Sequence, residues 1–215
     1  MIKKIRRRVH SSKLYKTLGL AKIAGQQTTP STLFKGDDEI FKSVISDCEI
    51  YAEYGCGAST IWVANNTTAK IYSTDSSGEW IQKVKDDCPS DRAIHLHHAD
   101  LGQLGKWGRP ISHEKCENFS DYTDWVWQQG ISPDLILVDG RFRVCCFLTS
   151  LLSAREGSKI IFDDYTNRPH YHFVERYLKR SDVCGRQALF VVPEKSSLNL
   201  EEIKYYAGKF QFVMD

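Results

Sequence analysis

No apolar run in this chain approaches the roughly 20 residues needed to cross a bilayer, and its first residues carry charges where a signal peptide would hold its apolar core. The seven cysteines, Cys48, Cys56, Cys88, Cys116, Cys145, Cys146 and Cys184, are odd in number and form no C-x-x-C pair. That pattern gives no regular disulfide framework and points to a reducing compartment, so a cytoplasmic protein is expected. Net charge is nearly missing as well: 29 Lys and Arg stand against 27 Asp and Glu, and a formal charge of +2 does not argue for a polyanionic partner. Internal repeats and low-complexity tracts are absent. What remains is 215 residues, 41% hydrophobic and 26% charged, the length and composition of one globular domain.

Acids are missing from the first 36 residues, where Lys3, Lys4, Arg6, Arg7, Arg8, Lys13, Lys16 and Lys22 accumulate and QQTTPST follows as a linker. Residues 1–30 are therefore expected to be a basic extension and linker, and residues 31–215 a single domain. The plain reading of the extension is a solvated arm. Weak contact with an anionic membrane surface, a nucleic-acid contact and a flap over the substrate are its alternatives.

From Asp37 onward short apolar runs alternate with longer mixed segments, the rhythm of a parallel sheet covered by helices on both faces. EIYAEY, AKIYSTD, RAIHLHHAD, PDLILVD and SKIIFDD read as strands. ASTIWVANN, SGEWIQKVKDDC, DYTDWVWQQ and RFRVCCFLTSLLSARE read as helices by apolar spacing. RPHYHFVERYLKR reads as a further helix, and DVCGRQALFVVPE as two short strands around a glycine turn that close one sheet edge. LEEIKYYAGKFQFVMD is left without an element.

Ligands of such sheets bind at the carboxyl ends of the strands, and here the strands end in acids: Glu53, Asp75, Asp100, Asp139, and Asp163 with Asp164. One such acid is an ordinary helix cap or turn residue; five strands ending this way call for another reason. The run Gly55-Cys56-Gly57-Ala58-Ser59-Thr60 lacks the third glycine of a dinucleotide fold and the Gly-Lys-Ser/Thr of a phosphate loop. An acid at 53 would also face a pyrophosphate. A cofactor with an amino-acid end and a ribose but no phosphate suits the residues better. Gly55 and Gly57 permit close backbone approach, Glu53 suits an ammonium, Asp75 can accept both ribose hydroxyls, and Asp100 would lie near an adenine amino group.

At these residues the chain resembles the class I S-adenosylmethionine-dependent methyltransferases, from Asp37 to Glu194. YAEYGCGAST is similar to that family's first cofactor motif, IYSTD to its ribose motif, HHAD to its adenine motif and LILVDGRF to its fourth strand. Bacterial members with YxEYGxGxST, VDGRFR and DDYxxRxxYxxVE segments are especially similar. Ser59 stands where the common E-x-G-x-G-x-G pattern has its last glycine. The resemblance implies an α/β, Rossmann-like, doubly wound and mostly parallel seven-stranded sheet. It also implies S-adenosyl-L-methionine as cofactor, held by Glu53, Gly55, Gly57, Ser59, Asp75, Asp100 and Asp139.

The acceptor is addressed by the ends of the fourth and fifth strands. Nucleobase amino methyltransferases look like [DN]-P-P-[YF] at the fourth, where this chain reads Asp139-Gly140-Arg141-Phe142, so oxygen is the expected acceptor atom and a nucleic-acid partner is disfavoured. Asp139 with Asp163 and Asp164 is similar to the Mg²⁺ set of metal-dependent O-methyltransferases, in which a cation lowers the pKa of a bound hydroxyl. Asp139 and His170 are the candidate catalytic groups, with His172 the other histidine able to act as a base without metal. Arg141, Arg168 and Tyr171 are candidates to hold an anionic or hydroxylated substrate. The long loop LGQLGKWGRPISHEKCENFSDY is expected to shape the acceptor pocket, with Trp107 as a stacking face. HLHHAD does not carry a dinuclear metal site, because strand alternation separates His95 and His97 from His98. The expected function is O-methylation of a small-molecule or carbohydrate hydroxyl, with or without Mg²⁺ assistance; the alternatives are an RNA-directed methyltransferase and a non-catalytic cofactor binder.

Overall fold

The computed structural model of the chain describes residues 33–34 and 38–215, so the expected basic extension, residues 1–30, lies outside the described residues. The elements all belong to one compact unit, Thr32–Asp215. In chain order they are α1 (Glu39–Ile45), β1 (Ile50–Tyr54), α2 (Ala58–Asn66), β2 (Lys70–Asp75), α3 (Gly78–Asp87), β3 (Ile94–His98), α4 (Phe119–Gln128), β4 (Leu135–Val138), α5 (Arg143–Ser153), β5 (Lys159–Phe162), β6 (Asp182–Cys184), β7 (Gln187–Val191) and α6 (Leu200–Phe210). A 3₁₀ segment, Pro169–Arg176, lies between β5 and β6.

The seven strands form one sheet in the order β3-β2-β1-β4-β5-β7-β6. β1 pairs in parallel with both β2 and β4, β4 with β5, and β7 runs antiparallel to β5. The strand order therefore reverses at β1 and β4, which opens a crevice at their carboxyl ends. Alternation with period two divides the apolar residues between the two faces. Ala52, Tyr54, Ile136, Val138, Ile160 and Phe162 pack with residues of α4, α5 and α6 in one buried cluster. Tyr51, Ile71, Leu135, Leu137 and Ile161 pack with residues of α1 and α2 in another. Strands covered on both faces read as continuous apolar runs, as Leu135–Val138 does.

Three segments depart from the expected elements. The segment beginning at Pro169 is a 3₁₀ helix rather than an α-helix; it buries Tyr171 and Val174, an i, i+3 pair that this tighter coil places on one line. The unassigned C-terminal run is α6, whose Ile203, Tyr206, Ala207 and Phe210 recur at helical spacing and face the main core. α1 escaped the reading because only Phe41 and Ile45 of its seven residues are buried, too short a pattern to register.

Candidate active site

The turn from β1 into α2 is built around a close approach of two backbones. Gly55 has φ +96°, and a side-chain carbon there would fall 2.7 Å from Cα of Gly140 in the turn after β4. A carbon on Gly140 would fall 1.9 Å from the Tyr122 hydroxyl and 2.8 Å from the Gly55 nitrogen. Gly140→Ala is therefore expected to cost about 1–3 kcal/mol in chemical denaturation, as overpacked interiors do. Gly208→Ala on α6, where the added methyl meets nothing within 4 Å, is the contrast and should gain up to about 1 kcal/mol.

The amides of this turn are used inward. Gly55 N–H donates to Thr74 O at 2.8 Å, Cys56 N–H to Asp75 Oδ2 at 2.9 Å, and Gly57 N–H to Thr60 Oγ1 at 2.8 Å. The Thr60 hydroxyl donates in turn to Glu53, which also accepts the hydroxyls of Tyr51 and Ser59, each at 2.8 Å. Glu53 is fully buried, and burial raises its carboxyl above the usual range while the three hydroxyls pull it down. This corrects its expected role. Glu53 shares a sheet face with Tyr51 and points under α2, so it braces the turn and is not among the residues lining the cavity. Cys56 does line that cavity, and burial together with Asp75 and Glu53 pushes its thiol pKa up.

Asp75 ends β2 beside that turn. Its Oδ1 accepts Ser77 N–H at 2.6 Å while Oδ2 holds Cys56, and burial raises its pKa. The loop after β3 folds back onto this end: Leu104 bridges Pro110, and Ser76 Oγ donates to Gly108 O at 2.7 Å. A side-chain carbon on Gly108 would fall 2.5 Å from that Ser76 oxygen, so only glycine fits. The loop thereby sets Trp107, 78% exposed, at the rim of the cavity near Asp75. Asp100 is not there. Two residues beyond β3, it is exposed, pairs with Lys115 and accepts Gly102 N–H at 3.0 Å, and Lys115 holds its pKa down. Its expected place beside the adenine is corrected to a surface tie within the loop.

At the ends of β4 and β5, Asp139, Asp163 and Asp164 bring carboxylate oxygens within 4.8 Å of one another. The placement is that of a metal set, but the charge is already matched. Arg143 lies 3.1 Å from Asp139 and 3.3 Å from Asp164. Arg168 lies 2.8 Å from Asp164, and Arg186 pairs with Asp163 and, at 3.1 Å, with Asp164. A divalent cation is bound through carboxylate oxygens, and here three guanidinium groups already pair with those oxygens. The residues do not fit Mg²⁺. Their side-chain exposures also differ: Asp139 27%, Asp164 10% and Asp163 none. Burial and the Asp163 carboxylate raise the Asp139 pKa well above its ordinary value, with Arg143 acting against them.

His170 is exposed and outside the cavity lining, its ring against Tyr171 at 4.3 Å. His172 accepts or donates at Tyr165 O, 3.0 Å away. Neither histidine, including the expected base His170, lines the cavity, and Tyr171 between them is buried. Tyr171 itself is buried and takes a hydrogen bond from Arg168 at 3.1 Å.

One cavity of about 590 Å³ joins these parts. Gly55, Gly57, Ser59, Asp75, Trp80 and Trp107 line it together with Asp139, Arg141, Asp164, Asn167, Arg168 and Arg186. Among the described residues, the non-glycine residues with positive φ are Trp107, Phe142 and Asp164. Two of them line the cavity and the third sits between Arg141 and Arg143, which also line it, so the strained backbone is concentrated at this site. Sequence reasoning missed Trp80, Arg143, Asn167 and Arg186. Arg143 had a signal, its i, i+4 spacing from Asp139; Arg186 had none, since it arrives through the antiparallel pairing of β7 with β5.

Neither a protein-family model nor a curated protein matches the chain. Among solved structures, it is similar to a methyltransferase-like protein from Silicibacter pomeroyi, at 30% identity over 83% of this chain and 96% of that one, with a TM-score of 0.68. It is also similar to the N-methyltransferase NodS from Bradyrhizobium japonicum in complex with S-adenosyl-L-homocysteine, at 14% identity over 85% of this chain and 100% of that one, with a TM-score of 0.49. No helix among the described residues is long and apolar enough to cross a membrane.

Proposed function

Since the chain belongs to the class I S-adenosylmethionine-dependent methyltransferase family, we propose that its cavity holds S-adenosyl-L-methionine at the Gly55–Asp75 end and presents to it, at the Asp139 end, the hydroxyl of a small molecule or carbohydrate. The observation that carries this reading is the single cavity in which the glycine turn and Asp75 adjoin Asp139. Its volume of about 590 Å³ lies within the range of small-molecule and cofactor sites.

When bound, S-adenosylmethionine supplies an electrophilic methyl group on a sulfonium. The chain's own residues do the rest. Each Asp75 oxygen takes one amide and keeps a lone pair for a ribose hydroxyl. Ala58 and Ser59 open α2 and line the cavity, where the free amides of a first helical turn suit the carboxylate of an amino-acid end. The indoles of Trp80 and Trp107 offer apolar faces beside Asp75 that keep water out. Asp139 is the most exposed of the three acids and is the group that takes the acceptor's hydroxyl proton. Arg143 holds it in place through Nη2, which bonds both its Oδ1 and its main-chain oxygen at 3.1 Å. With guanidinium groups where a cation would sit, proton removal falls to this carboxylate and no metal is involved. The described residues contain no observation that favours the RNA-directed reading.

The test is a thermal shift with S-adenosylhomocysteine, with NAD as control. At 100 times its dissociation constant the ligand should add about 2.7 kcal/mol, roughly 5–10 °C in a domain of this size. Asp75→Asn should lose most of that shift. A shift with NAD instead, or none with S-adenosylhomocysteine, would sink the reading.

A further inference from the structure

Four guanidinium groups line the cavity, those of Arg141, Arg143, Arg168 and Arg186. Three are matched to acids. Arg143, Arg168 and Arg186 account among them for every ion pair of Asp139, Asp163 and Asp164. Arg141 makes no ion pair with a side-chain carboxylate among the described residues. Its Nη1 donates to a main-chain oxygen of Asp215 at 2.6 Å, and its Nε is buried with no partner. A buried donor left in this state costs free energy unless something fills it.

Two further groups with donors to spare line the same region. Arg168 is 40% exposed; it gives Nη2 to Asp164 and Nη1 to Tyr171, which leaves its Nε–H and second Nη hydrogens unused. Asn167, exposed, lines the cavity beside it. A guanidinium with a free edge is built to grip two oxygens of a planar or tetrahedral anion.

We infer that the acceptor carries an oxyanion group, a carboxylate or a phosphate, which docks on Arg141, Asn167 and Arg168 while its hydroxyl lies at Asp139. This rests on the proposed function, whose acceptor it narrows from hydroxylated molecules in general to acidic ones. A neutral sugar would leave the Arg141 Nε without the charge-assisted bond that its burial calls for.

The test is calorimetric titration of the full chain with inorganic phosphate and, separately, with acetate, at constant ionic strength set with NaCl. Each titration is run on the chain alone and on the chain saturated with S-adenosylhomocysteine, which blocks adventitious anion binding at the first turn of α2. The parent should bind at least one of the two anions in both states; which one it prefers separates a phosphate-bearing from a carboxylate-bearing acceptor. Arg141→Gln and Arg168→Gln should each weaken that binding at least tenfold, and Arg168→Gln should leave the affinity for S-adenosylhomocysteine unchanged. Arg168→Lys, which keeps the charge and loses the fork, should fall between. No heat from either anion with the parent, or binding that survives in both glutamine variants, would overturn the inference. Loss of S-adenosylhomocysteine binding by the parent would instead overturn the cofactor assignment, and the anion titration of the chain alone would still decide the oxyanion site.

Discussion

Asp139→Asn should lower methyl transfer by about 10²- to 10⁴-fold, the range for removing a general base, while S-adenosylhomocysteine binding changes by no more than a few-fold. The sign of the pH dependence follows from the same residue. A carboxyl must be ionised to accept a proton, and burial and Asp163 hold Asp139 above its ordinary value. Activity of the parent should therefore be low where this group is protonated and rise with pH through a limb above the usual carboxylate range near 4. The variant should lose that limb as well as the rate. Initial rates against pH, on any acceptor that supports turnover of the parent, read both effects. EDTA should leave the parent's rate unchanged, because Arg143, Arg168 and Arg186 already neutralise the three acids. Retention of most of the rate in Asp139→Asn would remove this residue from the chemistry.

Glu53→Ala should cost about 4 kcal/mol of stability, read as the loss in unfolding free energy from urea titrations. The carboxylate sits fully buried and accepts three hydroxyls, from Tyr51, Ser59 and Thr60. Removing it leaves those donors orphaned, at about 1–3 kcal/mol each before relaxation. It also releases Thr60, whose oxygen holds the Gly57 amide, so the first turn of α2 loses its tie to β1. A variant that unfolds at the parent's urea midpoint would show that the hydroxyls find other partners. Cofactor affinity should fall too, but through the turn, since Glu53 does not line the cavity.

The contrast between these two acids marks what the sequence could and could not tell. The alternation of short apolar runs with helix-patterned segments was enough to place β1 to β5, and the paired strands β6 and β7, because parallel strands are apolar on both faces and glycine marks the final turn. The places of Asp75 and Asp139 in the cavity lining could be read because Asp75 ends β2 and Asp139 directly follows β4, on either side of β1. Glu53 was misread because a motif gives an acid's position along the chain and not the face it points to; sharing parity with Tyr51 sends it under α2. Asp100 was misread because it lies two residues past β3, where the backbone has already turned to the loop. His170 was misread because a 3₁₀ coil turns by three residues rather than 3.6. The arginines that exclude a metal were beyond local reasoning: Arg186 reaches Asp163 across 23 positions of chain.

Cys56 remains. A thiol lines the very cavity into which a sulfonium methyl donor is proposed to bind, and thiolates are among the strongest biological nucleophiles. Burial and two neighbouring carboxylates raise the pKa of this thiol and disfavour its thiolate. In the proposed reading, the acids that shape the turn also hold the thiol beside the methyl donor in its less nucleophilic form.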